Sequence, residues 1–132
     1  MDNIGKEFLE KIKAKKTCNI PAILFKAQVD AKLTHLAQPN KTLALHEAMG
    51  KFYDGIDGLL DTFIETYMGL YPCYITTEGS SKISNPLTYF TELYNTIDKE
   101  RVSIKESFLQ NQIDEIQQLI SHTLYRLKYI QD

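Results

Sequence analysis

Apolar side chains recur at helical spacing along nearly the whole chain, and breaks in that spacing divide it into elements. Across residues 20–38, Ile23, Leu24, Ala27, Ala31 and Leu36 mark one face, and Pro21 suits the first turn of the helix they predict. Pro39-Asn40 stops that helix, because the residue before a proline is pushed away from helical backbone. A long second helix is predicted over residues 41–70, with Asn40 as the residue that starts it. Turning ~100° per residue from His46, Leu45, Ala48, Met49, Phe52, Tyr53, Ile56, Leu59, Leu60, Phe63 and Tyr67 fall between roughly 200° and 340°. The next stretch, YPCYITTEGSSKISNP, is rich in Gly, Ser and Pro and predicts a connection without helix. Asn85-Pro86 reads as a cap followed by a first-turn proline. Tyr89, Phe90, Leu93, Tyr94 and Ile97 then carry a third helix over 86–102. Ile113, Ile116, Ile120, Leu124, Leu127 and Ile130 form the seam of a fourth over 104–130. Ahead of these, Ile4, Phe8, Leu9 and Ile12 predict a short amphipathic helix in residues 1–16.

The loops decide the order of the helices. A short loop, a crossover of roughly 15 residues and another short loop imply an up-down-down-up path, since the long connection exceeds any tight antiparallel turn. The expected fold is therefore all-α, a ferritin-like four-helix bundle with its one long crossover between the second and third helices. A chain of 132 residues is expected to form one such domain, spanning 1–132.

Composition changes this picture little. A hydrophobic share of 43% with 24% charged residues is ordinary for a globular domain. No apolar run approaches the ~20 residues that span a bilayer, and the charged N-terminus lacks a signal-like apolar core, so no membrane and a cytoplasmic location are expected. The net charge of −2 gives no electrostatic reason for tight nucleic-acid binding. Lys6, Lys11, Lys13, Lys15 and Lys16 raise the idea of a DNA-binding tail, but Glu7 and Glu10 interrupt them and the apolar spacing favours a docked helix. Cys18 and Cys73 have no CxxC partner and are expected to be isolated thiols, with a crosslink as the minor option.

The chemistry lies on the polar side of the second helix. Measured from His46, Asp57 falls near ~20°, Asp61 near ~60°, Asp54 near ~80° and Glu65 near ~100°. Asp61 and Glu65, four apart, point the same way. His46 and Glu65 are separated by ~28 Å of helix, so one helix cannot bring both to one ion. Two copies packed antiparallel about a twofold axis could, because an isologous interface sets His46 of one copy near Asp61 of the other. Imidazole plus carboxylate suits iron, with manganese or zinc as alternatives.

These residues resemble those of the Dps-like mini-ferritins, the DNA-protection branch of the ferritin superfamily. That family carries a histidine near the end of its first helix, a second about twelve positions on, and later an Asp-x-x-x-Glu motif. His35 and His46 stand in for the histidines, eleven positions apart, and Asp61-Thr62-Phe63-Ile64-Glu65 for the motif. The local sequence His46-Glu47-Ala48-Met49 with Phe52 is similar too, as is Leu124-Tyr125-Arg126-Leu127, where the family usually holds tryptophan at the Tyr125 position. Two positions depart from the pattern. The aspartate expected four residues after His46 is Gly50, and the tryptophan after the first histidine is Leu36. The resemblance implies metal binding by His35, His46, Asp61 and Glu65 at a site shared between subunits. It also implies Fe(II) oxidation with an incomplete second metal position, storage or oxidative protection as the role, and a homo-oligomer of twofold interfaces such as a dodecameric shell.

Each feature has a plainer reading. An acidic stripe on a helix is often only its wet face, and this applies most to Asp54 and Asp57. Gly50 could serve close helix approach, with the chemistry lost. His122 has no carboxylate one turn away and is expected at the surface or an interface. Tyr53 is a packing residue, or lines a redox site. The alternative function is a non-catalytic helical assembly protein, a viral or bacteriophage component among the options, which would sit in the host cytoplasm or the virion.

Overall fold

The computed structural model describes residues 3, 5–7, 17–37, 42–76 and 79–132. Residues 3 and 5–7 are helical, and the rest of the helix expected in 1–16 lies outside the described residues, as does the Pro39-Asn40 break. Four main helices follow: α1 (Asn19–Leu36), α2 (Leu43–Leu70), α3 (Pro86–Glu100) and α4 (Ser107–Tyr129), with a 3-10 turn at Arg101–Ser103 between the last two. Among the described residues there is no strand, only an isolated parallel bridge between Thr17 and Tyr74.

The helix starts have identifiable partners. At α2 the cap is Thr42 rather than Asn40, because the Thr42 hydroxyl accepts the Leu45 N–H at 3.1 Å. The Asp132 carboxylate takes the Leu43 and Ala44 amides at 2.6 and 3.1 Å. Three orphan amides of the first turn are thus satisfied, two of them by the residue at the far end of the chain. At α3 the Asn85 side chain accepts from Thr88 N–H at 3.2 Å, with Pro86 in the first turn as its spacing implies.

Contacts between ends give the helix directions. Asp132, beyond α4, caps the start of α2, and the Tyr71 hydroxyl just after α2 donates to Glu106, just before α4, at 2.5 Å. Tyr89 on the first turn of α3 donates to Asp30 on α1 at 2.7 Å. Arg101, at the end of α3, reaches Gln110 in the start of α4 at 2.7 Å. So α1 and α4 run one way, α2 and α3 the other. The main packing joins α1 to α2, α2 to α4 and α4 to α3.

The apolar stripes meet in one core. Ala48, Met49, Phe52, Ile56, Leu60 and Phe63 of α2 are buried with Leu24, Ala27 and Ala31 of α1, Phe90 and Ile97 of α3, and Ile113, Ile116 and Ile120 of α4. Phe52 and Phe90 meet edge to face, their ring centroids 4.9 Å apart. Leu36 is an exception to its expected place on the α1 stripe: at the last position of that helix it is 57% exposed.

The connection after α2 is pinned at both ends. At its near end Cys18 is disulfide-bonded to Cys73, their Cα atoms 5.3 Å apart. Cys18 N–H also donates to Tyr74 C=O at 2.8 Å, and the Thr17 and Thr76 hydroxyls lie 3.0 Å apart. The expectation of two isolated thiols is corrected here. A separation of 55 residues conceals the pairing, because α2 returns antiparallel to α1 and brings position 73 back beside position 18. At the far end, the buried Asp30 accepts Ser81 N–H at 2.9 Å, and Thr34 accepts Ile83 N–H at 2.8 Å.

Candidate metal-ligating face

His35, one position before the end of α1, and His46, in the first turn of α2, face each other across the α1–α2 loop. Their rings stack with centroids 3.8 Å apart and planes inclined by 16°. The backbone contacts are reciprocal: His35 Nδ1 lies 2.7 Å from the His46 carbonyl, and His46 Nδ1 lies 2.8 Å from the His35 carbonyl. A carbonyl only accepts, so each Nδ1 carries a proton and donates it to the other residue's backbone.

Gly50 explains how the His35 ring fits. A Cβ at Gly50 would lie 2.8 Å from His35 Cε1 and 3.0 Å from Nδ1. The space that a Cβ at position 50 would occupy holds the His35 ring. His35, Leu43, His46, Glu47, Gly50, Lys51 and Asp54 line an open depression of about 550 Å³. Glu47 and Lys51 were absent from the sequence-derived site. The spacing that would have found them is that of one helix face, since Glu47, Gly50, Lys51 and Asp54 stand at i, i+3, i+4 and i+7.

The remaining ligand candidates lie elsewhere. Asp61 and Glu65 are exposed on α2, and Asp61 stands ~22 Å along the helix from His46. Between them, Asp57 accepts from Gln28 Nε2 at 3.0 Å, and Lys32 Nζ sits 4.4 Å from the centre of the Tyr53 ring. Tyr53 thus packs under a cation. One chain brings the two histidines together and the two carboxylates together, but not one pair to the other. Among the described residues, no group of three or more His, Cys, Asp or Glu side chains could hold a metal ion.

The stack also limits what the histidines can do. A metal lies in the plane of the imidazole that binds it. Two rings 3.8 Å apart and inclined by 16° have planes that meet only far beyond bonding distance. As stacked, the pair does not chelate one ion.

A sequence profile described as "Family of unknown function (DUF5856)" matches residues 35–127. The chain belongs to that family. The matched region begins at His35 and contains His46, Gly50, Asp61 and Glu65, while Cys18 and Asp30 precede it. No curated protein and no solved structure matches the chain. Among the described residues, no helix is long and apolar enough to cross a membrane.

Proposed function

We propose that the protein is a ferritin-like metal-binding protein that works as a homo-oligomer, taking Fe(II) as substrate at a site completed by a second copy. The observation that carries this reading is the pair of backbone carbonyls on the two Nδ1 atoms. Ligating histidines commonly give their other N–H to such an acceptor, which fixes the tautomer and the ring. The exposed Asp61 and Glu65 supply the hard oxygen donors that iron requires. Their place on the helix that also bears His46 makes an antiparallel pairing of two copies sufficient. A twofold axis crossing α2 near Asp54 sets Lys51 opposite Asp57 and His46 opposite the Asp61 turn, so unlike charges meet. In the Dps-like manner, peroxide or dioxygen would take the electron from Fe(II), and the protein would supply placement.

The test combines light scattering with elemental analysis after anaerobic Fe(II) loading. Wild type is expected to be oligomeric with stoichiometric iron, and His46→Ala and the pair Asp61→Ala/Glu65→Ala each to lose it. Mixing the two variants should restore part of the iron, because one intact site forms at each mixed interface. A monomer, or iron content indifferent to both variants, sinks the reading.

A second reading has its own observation. The reciprocal bonds and stacking make the histidine pair a clasp between the end of α1 and the start of α2, which suits a metal-free scaffold. On that reading His46→Ala lowers the melting temperature in chelator-treated protein and changes no metal content.

A further inference from the structure

We propose that Cys18–Cys73 is a reversible thiol–disulfide exchange site, opened by a small thiol, that latches the near end of the crossover to α1. It stands at the opposite end of α1 from the histidine pair and does not depend on metal binding. The bridge lies in a cleft of about 260 Å³ shared with Thr17, Asn19, Tyr67, Tyr71 and Pro72, wide enough for a thiol to approach. Both residues are buried, and Cys73 is the less enclosed of the two, at 8% exposure against 1%, which favours its sulfur as the target.

The leaving sulfur is then Cys18, and its position favours departure. Cys18 is the N-cap of the 18-residue α1, makes no side-chain capping bond, and has no acidic residue in the turn that follows. The positive end of a helix stabilises a thiolate placed there. A stabilised thiolate leaves faster in exchange.

The step balances as follows. An external thiolate bonds to Cys73 Sγ, the Cys18–Cys73 bond breaks, and its electron pair remains on Cys18. A second external thiol attacks the mixed disulfide, releasing the oxidised reagent and leaving Cys73 as a thiolate. Two external thiols have been oxidised and two cysteines reduced.

The consequence is local, because the far end of the crossover is held separately by Asp30 and Thr34. Once the bridge opens, the near end keeps, among the described residues, the Cys18 N–H bond to Tyr74, the Thr17–Thr76 hydroxyl contact and the Tyr71 hydroxyl bond to Glu106.

The test incubates the full-length protein in millimolar glutathione at neutral pH, with intact-mass and amide-exchange readouts. The bridge is expected to open in the folded protein, with the glutathione adduct on Cys73. Exchange at the Cys18 amide should rise about tenfold or more while Ser81, Ile83 and the α2–α4 core keep their protection. The double variant Cys18→Ser/Cys73→Ser should fold and reproduce the reduced exchange pattern. A bridge that yields only in denaturant, an adduct on Cys18, core exchange rising on reduction, or a double variant that fails to fold each overturns the proposal.

Discussion

Gly50 shows how one residue can be misjudged from its type. In mid-helix a glycine costs about 1 kcal/mol against alanine, so Gly50→Ala ought to stabilise α2. The added Cβ would instead press on the His35 ring, which is held by stacking and by a 2.7 Å bond to the His46 carbonyl. The ring must turn, and the bond it loses is worth about 0.5–1.5 kcal/mol before strain is counted. Gly50→Ala is therefore expected to lower stability, whereas in a His35→Ala background it should raise it by up to about 1 kcal/mol. A denaturant double-mutant cycle reads the sign reversal. Asp30 is the other residue whose surroundings decide its behaviour. Burial alone would raise its pKa, but hydrogen bonds from Lys26, Tyr89 and the Ser81 amide, with the Lys26 charge, outweigh burial and leave it below the ordinary 3.8. Tyr89 is pushed upward, by burial first and then by Asp30, so it stays a donor. Because the folded carboxyl binds its proton less readily than the unfolded one, its contribution is full above pH 3.8 and is lost as pH falls through the folded value. Asp30→Asn should cost about 1–3 kcal/mol at neutral pH. Urea midpoints of the two proteins should converge only below that range.

The helices separate what periodicity reveals from what it hides. The stripes of α2, α3 and α4 were legible because each buries a continuous apolar face, and Ala48, Phe52, Ile56, Leu60 and Phe63 are buried as the 3.6-residue period requires. On α1, Asp30 and Thr34 sit four apart and are polar, yet both are buried. Their partners are amides of the crossover, Ser81 and Ile83, which no local pattern connects to α1. The start of α2 was misplaced for a similar reason, since Asp132, 89 positions from Leu43, completes the cap with Thr42. Thr42→Ala should therefore cost about 1 kcal/mol, measurable by thermal unfolding. Two glycines on α2 make a sharper test of how the helix is covered. A Cβ at Gly55 would lie 2.8 Å from Leu119 Cδ1, so Gly55→Ala overpacks the α2–α4 contact and should cost about 1–3 kcal/mol. At Gly58 nothing lies within 4 Å, and Gly58→Ala should stabilise the isolated bundle by up to about 1 kcal/mol. Gly58 borders Asp57 and Asp61 on the face assigned to a second copy. If the variant instead weakens oligomers in light scattering, that face is covered at close range.

At the scale of the whole molecule, helix content followed from the sequence while the meeting of distant ends did not. Cys18 and Cys73 become neighbours only after α1 and α2 have paired. The candidate site has the same character. His35 and His46 meet where α1 and α2 pair, and within one chain Asp61 and Glu65 stand far along α2 from them. The disulfide offers a measurable link between topology and stability. Closing a loop of 55 residues restricts the unfolded chain by an amount worth about 4 kcal/mol on the loop-entropy estimate. That figure is a ceiling for the folded protein if the reduced state is favoured by a thiolate at the head of α1, since any stabilisation of the opened form subtracts from what the bond contributes. Serine carries no such charge, so the comparison must use the reduced wild type beside the Cys18→Ser/Cys73→Ser variant. Reduced wild type is expected to lie closer to the oxidised protein than the serine variant does. The gap between the two should narrow as pH falls and Cys18 takes up its proton. Urea unfolding of all three forms across the neutral to mildly acidic range measures this directly. Equal stabilities for reduced wild type and the serine variant at every pH would mean that the end of α1 gives Cys18 no advantage, and the bond would then contribute its full topological share.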